Sequence, residues 1–190
     1  MSVCIVGNSR DLLDKKLGKD IDSHEIVIRV NNFLVKGFED HVGNKTTIVS
    51  CAFGSNFYPR LTQDTRDALS KSYIWLIQLG NERVLRIKEC GIPLERVAVI
   101  NSETYNFLSS TVYKDWWRKL PSSGLATIAM AIDLFPKSKI SIVGFDKKIR
   151  KCHYYNDEVD EGLPTDGHDW KSEIDYIESL ERSGRIKRLD

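Results

Sequence analysis

The sequence predicts an α/β domain on a mostly parallel central sheet, and three observations carry that reading. Short β-branched runs alternate along the chain with longer segments of helical apolar spacing. Several short runs are apolar nearly throughout, as in Ile140-Ser141-Ile142-Val143-Gly144, which suits strands covered by helices on both faces. The 190 residues, 41% hydrophobic, are enough for one core and too few for two comfortable ones, so residues 1–190 are expected to form one domain.

Taken in order, residues 3–7 (Val-Cys-Ile-Val-Gly) read as a first strand closed by a glycine, and 25–30 and 47–51 as two more apolar strands. A helix is expected over 61–70, after Pro59, and a strand over 73–79, ended by Gly80. The spacing then gives a helix over 82–89, stopped by Gly91-Ile92-Pro93, and a strand over 97–101. Helices follow over 103–119, halted before Pro121, and over 123–135, the most apolar of the chain. A strand over 139–144 and a helix over 169–181 complete the pattern. Between them, residues 147–167 form a long polar stretch with Tyr154-Tyr155, many acidic residues and Gly162, Pro164 and Gly167; loops of that length tend to serve function.

Composition excludes several classes. Lys plus Arg total 28 against 27 for Asp plus Glu, so no bulk field draws the chain to phosphate backbones or anionic lipid, and no nucleic-acid partner is expected. The apolar stretch 125–135 is broken by Asp133 and falls short of the roughly 20 residues a bilayer span requires. No basic and apolar leader precedes the first strand, and Cys4, Cys51, Cys90 and Cys152 show neither a CxxC pair nor zinc-ligand spacing. Together these lead to the expectation of a cytoplasmic protein with ordinary thiols.

Ligands of open α/β sheets bind beyond the carboxyl ends of strands. Gly7-Asn8-Ser9 follows the first strand; it is not GxGxxG, and it reads either as an amide able to hold a base, ribose or phosphate or as an ordinary turn. Arg29-Val30-Asn31-Asn32 places two more amides after the second strand. Pro121-Ser122-Ser123-Gly124 opens the apolar helix. It is either a simple cap or an anion site of free backbone N–H groups and two hydroxyls at the positive end of the helix dipole. His153 and His168 flank the long polar segment, and two imidazoles in one neighbourhood make acid–base chemistry plausible, whereas His24 and His41 look incidental. No Ser or Cys stands in an elbow motif, which disfavours a covalent hydrolase. Asp20-Ile21-Asp22 formally matches an acidic pair for a divalent cation but precedes a strand, the wrong end of the sheet for it; a solvated turn is the competing reading.

These pieces resemble a known family. Val6-Gly7-Asn8-Ser9, the stretch from Lys19 through Asn32 and Val42-Gly43-Asn44-Lys45-Thr46-Thr47 look like the long sialylmotif of the animal-type sialyltransferases. Pro121-Ser122-Ser123-Gly124 with Ile142-Val143-Gly144-Phe145 resembles the short motif, His153-Tyr154-Tyr155 the third, and His168 with Glu173 the very small His-x-x-x-x-Glu motif. The resemblance implies a Rossmann-like α/β/α sandwich, a variant of the GT-A fold. It implies transfer, with inversion and without a metal or other cofactor, of a sugar acid from a CMP donor to a glycan hydroxyl. By the same resemblance Asn8, Ser9 and Asn31 would bind the CMP moiety, and Ser122, Ser123 and Gly124 its phosphate or ribose. His153 would stabilise the departing phosphate, and His168 would be the general base.

The match is not complete. Where the family's disulfide would lie, alignment on Gly7 and Gly124 places Val3 and Phe135, with Cys4 one residue off, which implies a reducing compartment and a short, anchorless bacterial or viral-like member. Arg10, Asp11 and Asn156 also depart from the usual pattern, leaving the donor sugar open. CMP-sialic acid is the first expectation and CMP-3-deoxy-manno-octulosonic acid (Kdo) the alternative, for capsule or lipopolysaccharide synthesis. A non-catalytic CMP- or glycan-binding module and a CMP-sugar hydrolase are further alternatives.

Overall fold

Strands form where the β-branched runs are. The computed structural model describes residues 1–54, 60–78, 80–114, 119–146, 153–156 and 168–189. Among these, β1 (Ser2–Val6), β2 (Ile26–Val30), β3 (Ile48–Cys51), β4 (Tyr73–Leu76), β5 (Val97–Val99), β6 (Lys139–Val143) and β7 (Lys187–Arg188) join in one sheet of order β5-β4-β3-β2-β1-β6-β7. Every pairing is parallel. The helices are α1 (Gly18–Asp22), α2 (Glu39–Val42), α3 (Gln63–Lys71), α4 (Asn81–Glu89), α5 (Ser102–Val112), α6 (Ser123–Leu134) and α7 (Trp170–Arg182).

The period of two along each strand sorts its side chains into two cores. Val3, Ile5, Ile28 and Ile142 point to the face covered by Leu108 of α5, Leu125 and Ile128 of α6 and Ile177 of α7. On the other face Cys4, Val6 and Val27 pack with Ile21 of α1 and Val42 of α2, while Val49 and Leu76 pack with Leu69 of α3 and Ile87 of α4. The result is the expected layered α/β domain. Strand order runs outward from β1 in both directions, β2 to β5 one way and β6 to β7 the other, so the crevice between the carboxyl ends of β1 and β6 is the switch point of the sheet.

Two glycines form that crevice. Gly7 N–H donates to Val143 O at 2.8 Å and Ser9 N–H to Gly144 O at 3.1 Å. A Cβ on Gly7 would lie 2.3 Å from Gly144 O, so the backbones touch where a side chain cannot fit, and Gly144 itself takes a φ of +73°.

Several expected boundaries shift. The helix over 103–119 ends at Val112, because Tyr113 turns extended (φ −112°, ψ 130°), and 115–118 lie outside the described residues. The strand over 97–101 stops at Val99, and Asn101 instead caps α5, its side chain accepting from Glu103 N at 2.9 Å. The strand over 73–79 ends at Leu76, with Leu79 outside the described residues, and the 147–167 segment is described only at 153–156. Asp20-Ile21-Asp22, read as a turn, closes the short helix α1. β7 was not expected; two residues make no readable run.

Arg29 on β2 is fully buried. Its Nε donates to Lys45 O and Thr46 Oγ1, its Nη2 donates to Val42 O and Gly43 O, and its guanidinium lies 5.4 Å over the Phe33 ring. The charge is thus met by carbonyl dipoles of the turn after α2. Asp22 holds the same turn from outside, its carboxylate accepting from Asn44 N at 2.9 Å and Lys45 N at 2.8 Å.

Candidate active site

The switch point gathers the strand-end residues. Asn8 leaves β1 with its amide Nδ2 donating to Val30 O at 2.8 Å and Asn32 O at 3.0 Å. Both amide hydrogens therefore tie the end of β1 to the end of β2, and the carbonyl oxygen is the atom left to meet a ligand. Asn31 adopts φ +56°, a left-handed conformation that Asn tolerates better than most residues, and no side-chain partner meets it among the described residues. Among the described residues the buried Ser9 hydroxyl meets no hydrogen-bond partner.

The third-motif segment docks on these strand ends. His153 bridges Ser9, and Tyr154 N–H donates to Asn8 O at 3.1 Å. The buried Tyr154 hydroxyl accepts from Leu34 N–H at 3.1 Å and donates to Leu34 O, and burial raises its pKa to about 12. Tyr155 donates to Asn32 O at 3.0 Å, and its ring stacks on the His153 imidazole at 5.3 Å and 10°. Aromatic stacking and two strand-end bonds hold His153 at the mouth of the crevice.

Opposite stands the N-terminus of α6. Ser122 is its N-cap, its hydroxyl accepting from Leu125 N at 3.2 Å, a bond worth about 1 kcal/mol. That same hydroxyl donates to the Glu173 carboxylate, and Ser122 N–H donates to Glu173 Oε1 at 2.9 Å. Ser122 is 8% exposed, and both its N–H and its hydroxyl are engaged in building the helix start. Ser123 and Gly124 are half-buried, and among the described residues nothing accepts their backbone N–H groups or pairs with Ser123 Oγ. They form the open anion-receptive turn, at the positive end of a twelve-residue helix. A Cβ on Gly124 would lie 2.8 Å from Cε1 of the Phe145 ring, which would have to turn aside to admit it.

His168 precedes α7. Its Nδ1 lies 2.6 Å from Leu120 O, and since a carbonyl only accepts, Nδ1 carries the proton and Nε2 presents a lone pair. Trp170 flanks the ring edge-on at 5.1 Å. Asp169 caps α7 through Ser172 N at 3.1 Å, and this bond holds its carboxyl below the usual range. Glu173, one turn into α7, is 3% exposed; burial raises its pKa, while bonds from Ser122 and Tyr113 and the neighbouring His168 pull it back.

The structure therefore gathers Asn8, Ser9, Asn31 and His153 at the ends of β1 and β2, sets Ser123 and Gly124 at the open start of α6, and joins Ser122 and His168 through the 120–122 segment and Glu173. Sequence reasoning named Tyr155 without its stacking on His153 and missed the Leu120 carbonyl and Tyr113. It named Glu173 without its partners. Two carbonyls, at Leu120 and Asn32, carry no sequence signal at all. Asp20 and Asp22 lie on α1, and no group of three or more candidate metal ligands gathers among the described residues.

An open parallel sheet that collects hydroxyl, amide and imidazole groups at its switch point defines a protein of the doubly wound α/β class, built to hold a small ligand at the strand ends. Within that class the profile of glycosyltransferase family 29 (sialyltransferase) matches residues 2–185, and the chain belongs to this family. It is 26% identical over 203 residues to CMP-N-acetylneuraminate-beta-galactosamide-alpha-2,3-sialyltransferase 1 of Gallus gallus, covering 96% of this chain and 56% of that protein. It is also 26% identical over 216 residues to beta-1,6-galactosyltransferase GALT29A of Arabidopsis thaliana, covering 97% of this chain and 52% of that one. A crystal structure of a mammalian sialyltransferase in complex with Gal-beta-1-3GalNAc-ortho-nitrophenol superposes with a TM-score of 0.72 at 21% identity, over 99% of this chain and 68% of that one. The chain thus spans little more than half the length of these two relatives.

Proposed function

We propose that this chain is the catalytic core of an inverting glycosyltransferase, a variant of the GT-A architecture, that moves a sialic acid from its CMP donor to a glycan hydroxyl without a metal ion. The observation that carries the reading is the His168 Nδ1 bond to Leu120 O at 2.6 Å, which in the neutral ring leaves the Nε2 lone pair to act as a base. In the step, Nε2 takes the proton of the acceptor hydroxyl. The acceptor oxygen bonds to the anomeric carbon from the face opposite the leaving group, and the carbon–oxygen bond to the CMP phosphate breaks. The phosphate leaves with the bonding electron pair. The N–H groups of Ser123 and Gly124, the Ser123 hydroxyl, the α6 dipole and His153 receive that charge, while Asn8 and Asn31 hold the rest of the CMP moiety and Ser9 lines the pocket.

The reading includes a reducing compartment such as the cytoplasm. Val3 and Phe135 stand where the family bridge would lie, and Cys4 is buried with its thiol pushed up to about 12.

Mass spectrometry of products from CMP-N-acetylneuraminate, CMP-Kdo and UDP-galactose with a panel of glycan acceptors tests it. Transfer is expected from CMP-N-acetylneuraminate, undiminished by a chelator, and His168→Ala should lower it by at least about 100-fold. CMP release no faster than in His168→Ala with every CMP donor would sink the reading, and transfer from another donor alone would reassign the sugar.

A further inference from the structure

Residues 120–122 run between α5 and α6, and the first turn of α7 grips them twice. His168 Nδ1–H bonds Leu120 O, and Glu173 takes the N–H and hydroxyl of Ser122. Five positions separate His168 from Glu173, and that spacing lets one residue before the helix and one residue a turn inside it reach two points of the same strap.

A third hold comes from Tyr113, at the C-terminal end of α5. Its ring is 3% exposed and packs in the core beneath α6 and α7. Its hydroxyl lies 2.5 Å from Glu173 Oε1 and 3.3 Å from Leu120 O. A phenol has one proton, and at these distances the carboxylate takes it, with the Leu120 oxygen a weaker second acceptor. The hydroxyl therefore touches the acceptor that fixes the His168 tautomer and the carboxylate that fixes the strap. Packing alone would be served as well by phenylalanine; the polar atom in this core has two partners, and both belong to the His168 support.

We propose that Tyr113 is a positioning residue for His168, holding Glu173 and the 120–122 strap so that Leu120 O stays in place to accept the Nδ1 proton and Nε2 stays the unprotonated nitrogen. This rests on the assignment of His168 as the base. Without the hydroxyl, Oε1 keeps only the Ser122 N–H and the strap is free to draw away from His168. The imidazole can then exchange to the Nε2–H tautomer, which cannot accept the acceptor's proton.

Long-range proton–nitrogen correlation spectra of histidine-labelled protein, with His168 assigned by its loss in His168→Ala, read the tautomer directly. Wild-type protein should show His168 protonated at Nδ1. Tyr113→Phe should show a mixture with the Nε2–H form, and kcat about tenfold lower with the donor KM little changed. Glu173→Gln, through which Tyr113 acts, should move the tautomer the same way and add little to Tyr113→Phe in the double variant; it also serves if Tyr113→Phe does not fold. An unchanged tautomer in both variants overturns the proposal, as does an Nε2–H form in the wild type. The spectra need no turnover, so a wild-type protein that transfers nothing would refute the transferase reading while still reporting whether Tyr113 orders His168.

Discussion

Gly7→Ala asks whether the crevice depends on two backbones in contact. A Cβ at position 7 would sit 2.3 Å from Gly144 O and 3.0 Å from its carbonyl carbon. An ordinary carbon–oxygen contact is about 3.3 Å, so the ends of β1 and β6 would have to part by about 1 Å. That separation disrupts the bonds from Gly7 N to Val143 O and from Ser9 N to Gly144 O, at about 1 kcal/mol each. Strain from overpacking adds about 1–3 kcal/mol. The expected loss is about 3–5 kcal/mol, a large share of the roughly 5–15 kcal/mol that holds a domain. Urea unfolding followed by tryptophan fluorescence measures it, with Gly124→Ala as the control. There the Cβ would meet the edge of the Phe145 ring at 2.8 Å, and a ring can turn where a strand cannot, so the cost should stay under about 1.5 kcal/mol. Equal urea midpoints for Gly7→Ala and the wild type, or equal losses in the two variants, would refute the reasoning.

Three further outcomes are expected. Arg29→Leu keeps an apolar stem but strips donors from the carbonyls of Val42, Gly43 and Lys45, so calorimetry should show a loss of about 3 kcal/mol or more. Alkylation of the native protein followed by peptide mapping should label the partly exposed Cys90 ahead of Cys4 and Cys51, both buried with raised thiol pKa values; early labelling of Cys4 would contradict its burial. Glu173 has a folded pKa raised by burial, so its favourable contribution is complete below the ordinary carboxylate value and is lost as pH rises through the raised one. The stability of the wild type relative to Glu173→Gln should therefore fall across that window, and a pH-independent difference would show that burial does not govern this group.

The fold was largely legible because its signals are local. Apolar runs at 140–143 and 26–30 announce buried parallel strands, and the Ser122 cap announces α6. The candidate site was legible in sequence only where a side chain itself suggests chemistry, as with His153, His168 and Ser123. Where a side chain also serves the scaffold, sequence shows only part of its work: the Asn8 amide spends its hydrogens on carbonyls of the β2 end, and Ser122 answers a carboxylate 51 positions away. Tyr113 is invisible for the opposite reason, since at the end of an apolar stripe it reads as core, and only the approach of α7 gives its hydroxyl a purpose. Short elements such as α1 and α2 depend on long-range holds, Asp22 and Arg29 on the turn at 42–46, that no local window contains.

The position of β1 has a consequence for how the molecule is made. β1 is an inner strand of the sheet, and one of its two neighbours, β6, is made more than a hundred residues after it, with Val3 opposite Ile140. Until that partner is synthesised, one edge of β1 stays open and Gly7 has no Gly144 to meet. Contacts so distant in sequence come late and slowly, so a chain interrupted before β6 would hold β1 to β5 and no crevice, and one interrupted before α7 would hold the crevice without His168 and Glu173. Folding and acquisition of the site should therefore end together, with no shorter amino-terminal fragment retaining a working part.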